Sequence, residues 1–169
     1  MAKPKVLLYE QIHRKGIDYI SNHADILWAS GHDEETLCRE VAEATGIVIR
    51  AKGAVTARIM DNAPLLKVIG RHGVGVDNID VAAATERDIY VVNTPGVNNE
   101  AVAEHAVGMM LVLSKRILEA DRAIRNGHWD FRYEGLGKEM LGQTLGVVGL
   151  GNIGYRVAEI CRTAFNMKI

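Results

Sequence analysis

Two stretches of this chain carry residue types whose spacing suits the handling of anions. Gly149-Leu150-Gly151-Asn152-Ile153-Gly154 is a GxGxxG. Alone that motif is weak. Here an apolar run, TLGVVGL (144–150), leads into it, and an amphipathic run, IGYRVAEICRTAF, leads out. In a strand-to-helix turn each glycine has its own task. Gly149 permits the sharp turn, Gly151 leaves the backbone open to a pyrophosphate, and Gly154 lets the helix lie close to the strand. The amides of Asn152 and Ile153 then face phosphates at the positive end of the helix dipole. The second stretch is Gly70-Arg71-His72-Gly73-Val74-Gly75-Val76-Asp77-Asn78-Ile79-Asp80. Its glycines let successive N–H groups turn one way, into a nest that suits a carboxylate. A merely tight loop is the plainer alternative. Asp77 and Asp80 read as a turn residue and a helix N-cap rather than as acid–base groups.

The elements that must position these loops follow from hydropathy. Short apolar runs at 5–9, 25–29, 46–50, 67–71 and 90–94 lack in/out alternation, and helical patterns at 11–22, 34–44 and 80–88, with a turn at 56–62, separate them. That is the signature of a parallel sheet buried on both faces, in a doubly wound α/β lobe. A single helix is predicted over 99–126, closed by Gly127. Its first half is apolar nearly all round, so burial on several sides is expected. At roughly 40 Å it is long enough to carry the chain from one lobe to another. A loop, HWDFRYEGLGKEM, follows, then the strand 144–150, a helix from Ile153 to Phe165 and, at NMKI, the opening of a further strand.

Bulk properties exclude several classes. The 169 residues carry a formal net charge of −1, with 48% hydrophobic and 24% charged residues, and no basic block stands out. Nucleic acid is therefore not expected as a partner, because phosphate neutralisation needs clustered Lys and Arg. No apolar run is long enough to span a bilayer, and the charged start, MAKPKVLLYE, is unlike a signal peptide. Cys38 and Cys161 match no metal or redox spacing and read as reduced thiols of a cytoplasmic protein.

The segments IVIRAKGAVT, KVIGRHGVGVDNIDVAAATERDIYVVNTPG, AVAEHAVGMML and LGQTLGVVGLGNIG resemble, in this order and spacing, the D-isomer-specific 2-hydroxyacid dehydrogenases. The pattern is most similar to the phosphoglycerate dehydrogenase branch, and it covers essentially the whole chain. Formate dehydrogenases, hydroxypyruvate and glyoxylate reductases and a group of corepressors share the scaffold. The resemblance implies a flavodoxin-like substrate lobe over 1–98, then a linking helix and the first βα unit of a Rossmann NAD-binding domain over 99–169. It implies interconversion of a small D-2-hydroxy acid, similar to 3-phosphoglycerate or glycerate and hydroxypyruvate, with its 2-oxo acid. The alternative on the same scaffold is a non-catalytic, NAD-sensing protein similar to the corepressors.

Residue roles come from the same resemblance. Val74 and Gly75 offer N–H groups to the substrate carboxylate, with Val74 also near the nicotinamide. Arg50 matches an arginine aimed at the substrate's anionic end, and Ala51-Lys52-Gly53 borders the same pocket, although Lys52 stands where a small residue is usual. Asn98 and Asn99 match a position that faces substrate and cofactor; Asn98 is equally suited to capping the long helix. Gly149, Gly151, Asn152, Ile153 and Gly154 form the pyrophosphate turn, with Asn152 where arginine is commoner. For Arg50 and Lys52 the plain alternative is surface ion pairing. His105 reads as a packed helix residue, and the family does not place its catalytic histidine at His72. The arginine, glutamate and histidine of the family's chemistry are expected beyond Ile169, so the 169 residues alone are expected to be inactive. The acid that selects NAD over NADP falls about 20 residues after Gly149, at or past Ile169, which leaves both cofactors open. The resemblance also implies a homodimer through the helix and arm around 100–140.

Overall fold

The computed structural model describes residues 3–169, which divide into two compact units, one running to Pro95 and the other from Gly96 to Ile169.

In the first unit five parallel strands alternate with four helices: β1 (Lys5–Leu8), α1 (Arg14–His23), β2 (Asp25–Trp28), α2 (Glu34–Glu40), β3 (Gly46–Ile49), α3 (Ala57–Asp61), β4 (Val68–Arg71), α4 (Val81–Glu86) and β5 (Tyr90–Val92). The strands lie in the order β2-β1-β3-β4-β5, the arrangement of a flavodoxin-like open sheet. All five expected strands form, each a residue or two shorter than the apolar runs suggest. Helix starts are fixed by side chains that accept the first free amides. Asp33 takes the N–H of Thr36, Thr56 that of Ile59, and Asp80 that of Ala83, the cap expected of it.

The core gathers Leu7, Ile47, Ile49 and Ile69 from the central strands with Leu37 and Val41, Ile59 and Met60, and Ala83 and Ala84 from one helix each or its end. Burial on both faces holds for β3, whose four residues are buried but for a half-buried Val48. It does not hold at the edges, where β2 and β5 bury no residue completely. An edge strand has a neighbour on one side only, so half of its surface stays open.

The second unit departs from expectation in two places. The single helix over 99–126 is two helices, α5 (Asn99–Ser114) and α6 (Ile117–Arg125), and α5 is about 24 Å long. Between them Arg116 adopts the left-handed conformation, with φ 53°. The break has a partner elsewhere in the unit. The amide of Lys138 donates to the carbonyl of Ser114 at 2.7 Å, taking the acceptor that a continued helix gives to residue 118. Gly137 allows this approach, since a Cβ there would lie 2.6 Å from the Ser114 oxygen. Gly127 does end α6, with φ 77°. Expected burial of α5 on several sides is not seen: only Ala103 and Val107 are buried, and Leu113 is 76% exposed.

The run 144–150 forms no ladder. Thr144 makes one parallel bridge to Lys168, and among the described residues no strand pairs with the rest of the run; Val148 is fully exposed. A short helix, α7 (Phe131–Glu134), occupies the expected loop, and α8 (Asn152–Phe165) follows the glycine turn. Val107, Met140, Cys161 and Met167 make a small second core. Burial, which disfavours the thiolate, pushes the Cys161 thiol pKa up. No helix among the described residues is long and apolar enough to cross a membrane.

Truncating Ile69, completely buried in the first core, to alanine is expected to lower unfolding stability by about 3 kcal/mol. Val148→Ala, at a fully exposed position, is expected to leave it unchanged within about 0.5 kcal/mol. Urea unfolding of the two variants checks the contrast.

Candidate functional site

Parallel strands deliver their following loops to one edge of the sheet, and ligands bind there, near the point where strand order reverses. In the first unit that reversal falls between β1 and β3. The loops after β1, β3, β4 and β5 therefore share the carboxyl edge.

The glycine loop after β4 is held by its carbonyls. Gly73's oxygen accepts from both the amide and the hydroxyl of Thr94, at 2.9 and 3.2 Å. Val74's oxygen accepts from the Asn93 side-chain amide at 2.7 Å. Fastening the carbonyls leaves the amides of Val74 and Gly75 with no protein acceptor among the described residues. Gly73 has φ 152°, and the Arg71 guanidinium fills the space where its side chain would begin. Arg71 also donates to the carbonyl of His72. Its Nε is buried and has no hydrogen-bond partner among the described residues. A buried cationic donor without an acceptor is rare in native structures.

Arg50 and Lys52 follow β3 at the same edge, both exposed. Neither enters an ion pair among the described residues, so the surface-pairing alternative is not what is found. Their loop is tied instead through its backbone. Glu10, which follows β1, accepts the amides of Ala51 and Lys52 on one carboxylate oxygen, at 2.5 and 2.6 Å. Partial burial acts to raise the Glu10 pKa. The two amides and the nearby charges of Lys52 and Arg50 outweigh it and hold the group below the usual carboxylate range.

The second unit carries the other glycine turn. Gly149 has φ 89°. A Cβ on Gly154 would collide with the Gly149 carbonyl oxygen, whereas one on Gly151 would meet nothing within 4 Å. Gly154 is thus fixed by packing, and Gly151 faces open space. Gly151 is the N-cap of α8 and has no side chain to cap with, so the amides of Asn152 and Ile153 keep no intrahelical partner. A groove of about 440 Å³ joins Asn99 and Glu100 to Leu150, Gly151, Asn152, Tyr155 and Arg156. Asn99 and the glycine turn therefore line one groove. Arg156 ties them together, bonding both Glu100 oxygens at 2.7 Å and Glu159 at 2.7 Å. Those hydrogen bonds hold the Glu100 pKa down and push that of Arg156 up.

Asn98 stands at the N-cap of α5, exposed, and makes no side-chain hydrogen bond to the helix. His105 is exposed rather than packed, and His72 is exposed. Cys38 and Cys161 are free, and no cluster of His, Cys, Asp or Glu able to hold a metal occurs among the described residues. Sequence reasoning missed Glu10 and the Glu100–Arg156 pair. An acid directly after the first strand, at the same edge as the cations after the third, was the available signal for Glu10. Arg156 gave none, since its partner lies 56 residues away.

Comparisons with known proteins agree with this geometry. The family model for the D-isomer specific 2-hydroxyacid dehydrogenase catalytic domain matches residues 6–167. The D-3-phosphoglycerate dehydrogenase of Archaeoglobus fulgidus is 45% identical over 166 residues, covering 98% of this chain and 31% of its own length. The glyoxylate reductase of Thermofilum pendens is 39% identical over 176 residues, covering 100% of this chain and 52% of its own. The NAD-dependent formate dehydrogenase of Staphylococcus aureus, solved in complex with NAD, superposes with a TM-score of 0.79 at 28% identity, over 97% of this chain and 54% of its own. The chain thus spans between about a third and a half of the proteins it matches. With the sheet order, both glycine loops and the family match in accord, the chain belongs to the D-isomer-specific 2-hydroxyacid dehydrogenase family.

Proposed function

We propose that this chain supplies the acid-binding edge and the pyrophosphate turn of an NAD(P)-dependent oxidoreductase that interconverts a small D-2-hydroxy acid and its 2-oxo acid. On this reading residues 1–98 are the substrate-binding part. Residues 99–169 are the linking helices and first βα unit of the nucleotide-binding domain. The carrying observation is the turn at Gly149–Gly154, where Gly151 leaves the first amides of α8 uncapped and open. A dinucleotide pyrophosphate fits that cradle, with Asn99, Asn152 and Ile153 beside it. A nicotinamide, when bound, would supply hydride acceptance from the hydroxylated carbon, with Val74 proposed as one of its binding residues, and the chain's own residues would bind and orient the acid. The Val74 and Gly75 amides take the carboxylate, and Arg50 and Lys52 serve the far end of the acid; Asn98, at the start of α5, is proposed as a further substrate-binding residue. Arg50 and Lys52, neither in an ion pair among the described residues, favour an anionic far end such as a phosphate, so 3-phosphoglycerate leads and hydroxypyruvate follows.

We further propose a homodimer through the surface around 100–140. Leu113, Leu118, Ile124, Trp129, Tyr133 and Leu136 are each more than half exposed there, an apolar concentration typical of contact surfaces.

Gly151→Ala and Gly154→Ala test the turn. Gly151→Ala is expected to fold as the parent does and to bind NADH at least tenfold more weakly, because its Cβ enters only the ligand's space. Gly154→Ala is expected to lose α8 helicity as well. Calorimetric titration and circular dichroism separate the two, and unchanged NADH affinity in Gly151→Ala would overturn the cofactor reading. Arg50→Ala is expected to weaken 3-phosphoglycerate binding by roughly tenfold, the loss of a charged hydrogen bond, while glycolate binding changes little. Leu113→Glu with Leu136→Glu is expected to turn a sedimenting dimer into a monomer.

A further inference from the structure

We propose that Glu10 is the positioning residue of the acid-binding edge: its carboxylate holds the loop that carries Arg50 and Lys52, and its charge tempers their pull on the ligand. This rests on the proposed reading of Arg50 and Lys52 as ligand-facing cations.

Both halves follow from where Glu10 stands. The carboxyl edge of β1 faces that of β3 across the point where strand order reverses, so the residue after β1 reaches the loop after β3 directly. One Glu10 oxygen receives two consecutive amides, those of Ala51 and Lys52. Two consecutive N–H groups turned the same way are what an incoming anion seeks. Here the protein's own carboxylate fills that place. An acid ligand at this loop is therefore met by side chains and not by its backbone, which separates it from the nest at Val74 and Gly75, where the amides are open.

The loop is held at its other end too. His32 and Tyr9 press against Gly53, and Asn78 and the Tyr9 hydroxyl donate to the carbonyls of Gly53 and Ala54, each at 3.4 Å. These are long bonds, and they lie beyond the cations. Glu10 is the group that fixes the stretch between Arg50 and Lys52 itself. The charges of Lys52 and Arg50 also act on its carboxylate, so the trio carries one net positive charge rather than two. A ligand anion then binds against a moderated field and leaves more readily, as turnover of a doubly charged acid requires.

Hydrogen bonding and charge are separable by substitution. Glu10→Gln keeps an acceptor oxygen for the two amides and removes the charge. Glu10→Ala removes both. In the ligand-free chain, amide hydrogen exchange at Ala51 and Lys52 is expected to be at least tenfold faster in Glu10→Ala than in the parent. Glu10→Gln should retain most of the protection, and exchange at Leu7 and Ile47 should match the parent in both variants. In titrations with D-3-phosphoglycerate followed by amide chemical shifts, Glu10→Gln is expected to bind roughly threefold more tightly, the effect of one screened charge nearby. Glu10→Ala is expected to bind more weakly than the parent, its cations no longer held. Unchanged protection at Ala51 and Lys52 in Glu10→Ala overturns the positioning role. Equal affinity of Glu10→Gln and the parent overturns the charge role. If the parent shows no shifts at Arg50 and Lys52 under titration, the ligand-facing reading and the charge role fall together, while the exchange measurement still decides whether Glu10 holds the loop.

Discussion

Parallel pairing of β1 with β3, and of β3 with β4, decides almost everything else in the first unit. A parallel ladder sends every strand in the same direction, so every following loop emerges at one edge. The core residues of β3 and its neighbours keep that ladder dry, and the polar groups of the chain must collect where the strands end. Register makes the gathering specific. Ile49 lies beside Arg71 across β3 and β4, so the loop with Arg50 and the loop with Gly73 begin at the same level. Leu8 lies beside Val48 across β1 and β3, which brings Glu10 level with Arg50, next to the amides it accepts. A shift of one residue along either pair would part these groups.

The two glycine loops leave backbone donors without protein acceptors among the described residues by different means. After β4 the carbonyls are bound by Asn93 and Thr94, and the amides are left over. At the start of α8 the amides are left over because a helix has no preceding turn to accept them. Fixing the first needs partners on a neighbouring strand's loop. Fixing the second needs only the close approach of Gly154 to Gly149, with Arg156 holding the helix to α5.

How much of this was legible in the sequence depends on the range of the interaction. The five strands, the cap at Asp80, the turn at Gly149 and the close approach at Gly154 were readable because each depends on a few consecutive residues. The break at Arg116 was not, because 99–126 is helix-forming throughout and the cause is the amide of Lys138, more than twenty residues on. The open backbone of 144–150 was legible in part: the apolar run declares a strand, the opening strand at NMKI is its one evident neighbour, and a single bridge to Lys168 forms. Burial of His105 was misjudged for a related reason, since an apolar helix was assumed to be covered on all sides. At the acid-binding edge the cations were readable by resemblance. Glu10 was not, because its partners are backbone amides, which leave no mark in residue identity.

The bond from Lys138 to Ser114 has a topological consequence. It pins together the two ends of an excursion that contains α6, α7 and the turns between them, much as a clasp closes a loop of ribbon. Whatever lies between the pinned ends can lengthen, shorten or change composition without moving α5 on one side or the approach to the glycine turn on the other, since closing a longer loop adds little entropy. The length of the excursion is therefore uncoupled from the placement of the elements it interrupts.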